Sequence, residues 1–185
     1  MNANDQETPS RPNPGMFRHA LIFGGGAGVA VIVWNLLEFA FGIHGDRISW
    51  WKYTGLASMM IPVAAIVIGL IHWRDKAFGG LIRFRDAFGC GLAIGLVFSA
   101  TLAVFSWIYV GAINPGVIEA GIALRAVDMQ EAGSTAEEIQ KTTDLLRAKG
   151  TPGGYAFNLF ALMLISLFFV SLFAAILLRR RHSKA

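Results

Sequence analysis

The chain has 185 residues, with 16 Lys plus Arg against 12 Asp plus Glu, 55% hydrophobic residues and 15% charged ones, where a soluble domain carries roughly 25% charged. That balance excludes an ordinary soluble domain, and a single cysteine, Cys90, excludes an internal disulfide and any cysteine-built metal site. The net charge of +4 does not point to nucleic acid, because the basic residues cluster beside apolar stretches, where they act as topology signals.

No charge falls in residues 19–37, 53–73, 87–118 or 150–178. A bilayer core about 30 Å thick is crossed by about 20 apolar helical residues, so each window is long enough for one span. The reading is an all-α membrane protein of four transmembrane helices, with little chain left for a nucleotide-binding or hydrolase domain outside the lipid.

Residues 1–15 are polar and proline-rich and read as a disordered tail, followed by a single four-helix domain over 16–180 and a short basic tail, 181–185. The first span is expected over 17–42, too long an apolar stretch for a cleaved signal peptide. The second is expected over 54–72, with Pro62 kinking it, and the third over 86–111, opened by Asp86 as a helix cap. Asn114-Pro115 reads as a cap and first-turn proline, starting a helix that runs to about 131. Ser134 and Thr135, each with a Glu three residues on, read as a capping box for another over 135–149. These form a helical hairpin, 115–149, before the fourth span, 153–178.

Ten basic residues flank the spans on one side, among them Arg18, Arg74, Arg83 and Arg179, against six on the other, among them Arg47, Lys52 and Lys149. The positive-inside rule makes the first side cytoplasmic, so both termini are expected inside and the hairpin, with six acids to four bases over 112–152, outside. Trp50, Trp51, Tyr53, Trp73, Trp107 and Tyr109 fall where headgroup-level aromatic belts are expected.

Glu38 lies within about four residues of the outer end of the first span, and an acid is expensive in lipid unless it finds water, a partner or a proton. Asn35 shares its helix face and Asn158 lies at similar depth on the fourth span, so Asn35, Glu38 and Asn158 form the candidate polar intramembrane site. Gly24 and Gly28, and Gly91 and Gly95, give GxxxG-type faces for close helix packing. The glycine run near residue 24 follows no strand and lacks the P-loop Lys-Ser/Thr, so phosphate binding is not expected. His19, His72 and His182 fall near the inner surface and His44 outside, too scattered for a metal site, and read as solvated interface histidines. No GxSxG, HExxH or intramembrane His-Asp constellation occurs, so no catalytic residue, cofactor or metal is expected.

The most distinctive text is Arg74-Asp75-Lys76, then Gly79-Gly80-Leu81-Ile82-Arg83-Phe84-Arg85-Asp86-Ala87-Phe88 entering a Gly-rich helix that leaves through Tyr109 to Asn114-Pro115. Gly79-Gly80 permits a tight turn, and Phe84 and Phe88, four apart, can wedge against a neighbouring helix. Over roughly residues 17–180 this order resembles the membrane family catalogued as domain of unknown function 4199. The double glycine, the following aromatic and Ala-Phe pair, and the acidic segment before the last span carry the likeness. Arg83 and Arg85 stand where more neutral polar residues are expected. The resemblance implies a bacterial inner-membrane protein and supplies no substrate, cofactor or site residue. The expected function is a non-catalytic accessory or envelope-associated component, with the bilayer as its environment and a second copy or another membrane protein as its partner. The competing expectation is a small oligomeric transporter or ion conductor using Glu38.

Overall fold

The computed structural model describes residues 14–44 and 47–178, so most of the expected disordered tail, the basic tail and His182 lie outside the described residues. Its elements are α1 (Pro14–Ala20), a π turn (Leu21–Gly25), α2 (Gly26–Ala40), a 3₁₀ turn (Ile48–Trp50), α3 (Trp51–Phe78), α4 (Phe84–Ile108), a second π turn (Tyr109–Ile113), α5 (Val117–Glu131), α6 (Ala136–Lys149) and α7 (Pro152–Leu178). No strand occurs among the described residues. Four stretches, Gly15–Ala40, Tyr53–Phe78, Phe84–Ile113 and Pro152–Leu178, are long and apolar enough to cross a bilayer, which makes this a multi-pass membrane protein.

The boundaries differ from the sequence expectation where local chemistry overrides hydropathy. The first helix already includes Pro14 and Gly15, inside the stretch read as tail. It stops at Ala40, since Gly42, at φ +74°, turns the chain back on itself. The second span runs on through Arg74-Asp75-Lys76 to Phe78, with Arg74 Nε donating to Asp75 Oδ1 at 2.7 Å. Pro62 lies fully buried within it. Asp86 sits in the first turn of α4, and the capping position is Arg83, with extended backbone. Gly79 and Gly80, at φ +58° and +90°, make the turn between α3 and α4, where side-chain-bearing residues are disfavoured.

α4 is the central rod. Glycines set its distance from its neighbours: a Cβ added at Gly24 would collide with the carbonyl oxygen of Ile94, and one at Gly28 would stand 2.7 Å from Thr101 Cγ2. On its other side a Cβ at Gly91 would stand 2.9 Å from Ser171 Cβ, and one at Gly95 3.2 Å from Leu167 Cβ. Without those side chains the backbones approach, and dispersion contacts replace the hydrophobic drive that lipid does not supply. Phe84 and Phe88 stack at 5.8 Å, and Phe88 meets Phe168 of α7 edge-on at 5.3 Å. Ile66, Leu70, Ile94, Phe98 and Leu167 fill the buried middle, while Leu56, Met60, Val104, Phe157 and Leu177 are exposed, as lipid-facing side chains are.

α5 and α6 pack on each other between the third and fourth spans. Thr135 caps α6 through a reciprocal capping box with Glu138, so of the two candidate boxes Thr135 is the one used. Arg147 donates to both carboxylate oxygens of Glu119, at 3.2 and 3.1 Å, tying α6 to α5. That guanidinium holds the Glu119 carboxyl below the usual carboxylate range.

Candidate functional site at the Glu38 end of the bundle

Helix α2 ends two residues past Glu38, and the chain turns at Gly42 so that the Ile43 amide donates to the Glu38 carbonyl at 2.9 Å. This brings His44, six residues on, over the Glu38 side chain. His44 Nε2 lies 3.1 Å from Glu38 Oε2, and Trp34 Nε1, one turn back on α2, donates to Glu38 Oε1 at 2.7 Å. The other imidazole nitrogen, His44 Nδ1, lies 2.6 Å from the Tyr109 hydroxyl. Asn114 Nδ2 donates to that hydroxyl at 3.2 Å and reaches the His44 carbonyl at 3.5 Å. Glu38 and His44 are each 4% exposed and Tyr109 5%.

The bond directions follow from the donor inventory once the carboxyl is ionised. The carboxylate accepts only, so His44 Nε2 carries the proton it donates. Nδ1 is then an acceptor and takes the Tyr109 O–H, whose oxygen in turn accepts from Asn114. Every donor in the chain points toward Glu38, so the acid is neutralised by directed dipoles as well as by proximity. Burial holds the His44 imidazole below its ordinary pKa, against the opposing pull of the Glu38 carboxylate. A neutral imidazole is the form this bonding pattern requires.

The second π turn places Tyr109. Its wider turn accommodates one residue more than an α turn and closes with the Asn114 amide donating to the Tyr109 carbonyl at 2.7 Å. Asn114 therefore does not cap α5 with its side chain. Gly116 holds that position without a side-chain cap, and the Asn114 amide is spent on Tyr109 and His44.

Of the residues singled out from sequence, Glu38 sits at the centre of this network. Asn35 donates instead to the Val31 carbonyl of its own helix at 2.8 Å and faces a cavity beside the network, while Asn158 lines a separate groove beneath α5 and α6. The histidine reading is corrected. His44 is buried, and so is His19, whose Nε2 lies 2.9 Å from the Gly69 carbonyl and whose ring stacks on His72 at 5.3 Å. Tyr109 and Trp73 are likewise buried and do not stand in an aromatic belt, whereas Trp50, Tyr53 and Trp107 are exposed. Trp34, His44, Tyr109 and Asn114 escaped as site members: His44, Tyr109 and Asn114 lie at span ends, where polar and aromatic residues are common for anchoring alone, and Trp34 lies inside the first span, where an indole is an ordinary apolar side chain. The available signal was Gly42, which reverses the chain two residues before His44.

Next to the network, the four spans and α5 line a cavity of about 390 Å³, where His44, Tyr109 and Asn35 stand beside Trp51, Phe98, Phe105 and Tyr155 among aliphatic side chains. A second groove of about 590 Å³ under α5 and α6 shares Trp51, Val117 and Tyr155 with it and carries Lys149. Among the described residues no group of three or more His, Cys, Asp or Glu side chains forms a metal-holding cluster.

Residues 22–180 match the family model described as protein of unknown function (DUF4199). No curated protein and no solved structure matches the chain.

Proposed function

Because the chain belongs to the DUF4199 family, whose description assigns no activity, we propose a function from the site itself: a non-catalytic accessory component of the bacterial cytoplasmic membrane. One observation carries this reading. Both oxygens of Glu38 and both nitrogens of His44 are engaged by partners within the network. A general base or an ion-coordinating carboxylate faces its substrate, whereas Glu38 is buried and is not among the residues that line the adjoining cavity. The bonds of the network fasten the end of α2, the following loop and the root of α5 into one unit.

In this reading the termini are cytoplasmic, and the α5–α6 pair stands on the outer face. Its net acidic surface is what the protein offers to an envelope partner or to a second copy. The basic flanks at the opposite end of the bundle, Arg18, Arg74, Arg83 and Arg85, support that sidedness.

The test separates fastening from transport. Purified protein in liposomes is expected to leave proton and potassium flux at the level of empty liposomes, while Glu38→Gln lowers its melting temperature in detergent. A flux that appears with the protein and vanishes with Glu38→Gln selects the small oligomeric transporter instead. Sidedness is tested by a maleimide that does not cross membranes. With Cys90→Ser as the background, Ser134→Cys is expected to label in intact cells. A reporter fused after Ala185 is expected to be active only in the cytoplasm.

A further inference from the structure

The cavity beside the network is bounded by Trp51, Phe98, Phe105, Tyr109 and Tyr155, with His44 at one edge. Its volume, about 390 Å³, lies within the range of roughly 300–1,000 Å³ typical of small-molecule sites. Among the described residues no Lys, Arg, Asp or Glu lines it. Glu38 lies behind His44 and is already met by two donors.

A second, independent feature is Gly55 on α3, which also lines the cavity. At Gly24, Gly28, Gly91 and Gly95 an added Cβ would press on a neighbouring helix, so those glycines serve packing. At Gly55 an added Cβ would meet nothing within 4 Å. A glycine inside a helix costs about 1 kcal/mol relative to alanine, and here no close helix contact offsets that cost. Gly25, Gly26, Gly89 and Gly153 are open in the same way, and of these helix glycines Gly55 is the one that lines the cavity.

We propose that this cavity binds an uncharged, ring-bearing amphiphile taken from the bilayer, its ring held among the aromatic walls and one polar group seated at the Tyr109–His44 edge. Three observations set the ligand's chemistry. The described residues of the lining carry no charge to pair with an ionic head. Flat aromatic faces favour a ring through offset or edge-on stacking. The Tyr109 oxygen, with one donor from Asn114 and its own proton given to His44, keeps a lone pair for a ligand hydroxyl. The Asn35 side chain adds an amide at the same cavity for a ligand carbonyl. This inference does not depend on the accessory role, since a bound amphiphile is compatible with a fastening protein or a transporting one.

The test uses the full-length protein in lipid nanodiscs and tryptophan fluorescence, with decylubiquinone as the ring-bearing neutral probe and decanol and decanoate as ring-free neutral and anionic competitors. Saturable quenching is expected, reduced at least tenfold in apparent affinity by Gly55→Leu, which places a side chain into the open space. Met163→Phe, which adds bulk to the same cavity from α7, is expected to act alike, and circular dichroism reports whether each variant keeps its helices. Quenching that rises linearly without saturation, or that neither folded variant alters, overturns the site. Displacement of the probe by decanol at concentrations comparable to its own overturns the ring-bearing class, and displacement by decanoate overturns the requirement for neutrality.

Discussion

The packed middle of the bundle and the hollow Glu38 end use the same residue for opposite purposes. In the middle, Gly24, Gly28, Gly91 and Gly95 remove side chains so that helices touch. At the Glu38 end, Gly55 removes one and nothing moves in. The middle is held by close apolar contact, the end by a chain of directed hydrogen bonds with a cavity beside it. The comparison teaches that a glycine on a membrane helix is informative only together with what faces it.

The largest effect that would break this contrast belongs to the middle. Gly24→Leu must push against the Ile94 carbonyl, a backbone atom that no rotamer change can move. A loss of about 3 kcal/mol, at the upper end of ordinary overpacking, is expected, read as collapse of the monodisperse peak and of the thermal transition in detergent. At the other end Glu38→Ala strands the Trp34 and His44 donors in a buried site. Its expected loss is about 2–3 kcal/mol by chemical unfolding. Tyr109→Phe removes only the hydroxyl between His44 and Asn114, and about 1 kcal/mol is expected, in keeping with the modest worth of hydrogen bonds in membrane proteins.

Acidification probes the network more gently. The folded-state pKa of His44 lies below its unfolded value, so the unfolded chain takes up the proton first. Stability is therefore full above about pH 6.5 and falls as the pH drops from there toward the folded pKa. Melting curves between pH 7.5 and 5.5 should show this loss, and His44→Gln should flatten it. The smallest effect sharpens the comparison most. Gly55→Ala should be neutral or stabilising by up to about 1 kcal/mol, since it gains helix propensity without a clash, whereas Gly91→Ala should destabilise because its Cβ would press on Ser171. Equal melting shifts for the two alanine variants would erase the distinction.

The spans were legible because four uncharged windows admit one structure in lipid, a helix that pairs its own amides. Their ends were less so: hydropathy cannot see Gly42 reversing the chain or α3 carrying its charged Arg74-Asp75-Lys76 turn onward. Glu38 stood out because an acid near lipid demands an account. Its partners did not, since Tyr109 and His44 approach it across 71 and 6 residues of chain, and only the fold brings the distant one near. Asn114 was misread for a related reason. Its side chain had two uses, cap or network, and the sequence favours the local one.

The second π turn makes the alignment of this tyrosine a matter of counting. Removing one residue between Tyr109 and Asn114 would shrink the loop closed by their 2.7 Å backbone bond to an ordinary α turn, and the phenol and the carboxamide would no longer point at the same imidazole. Two chains could then carry identical letters at both positions and still differ in whether the acid below is answered. For this architecture, the interval separating those letters is as much a part of the inherited machinery as the letters are.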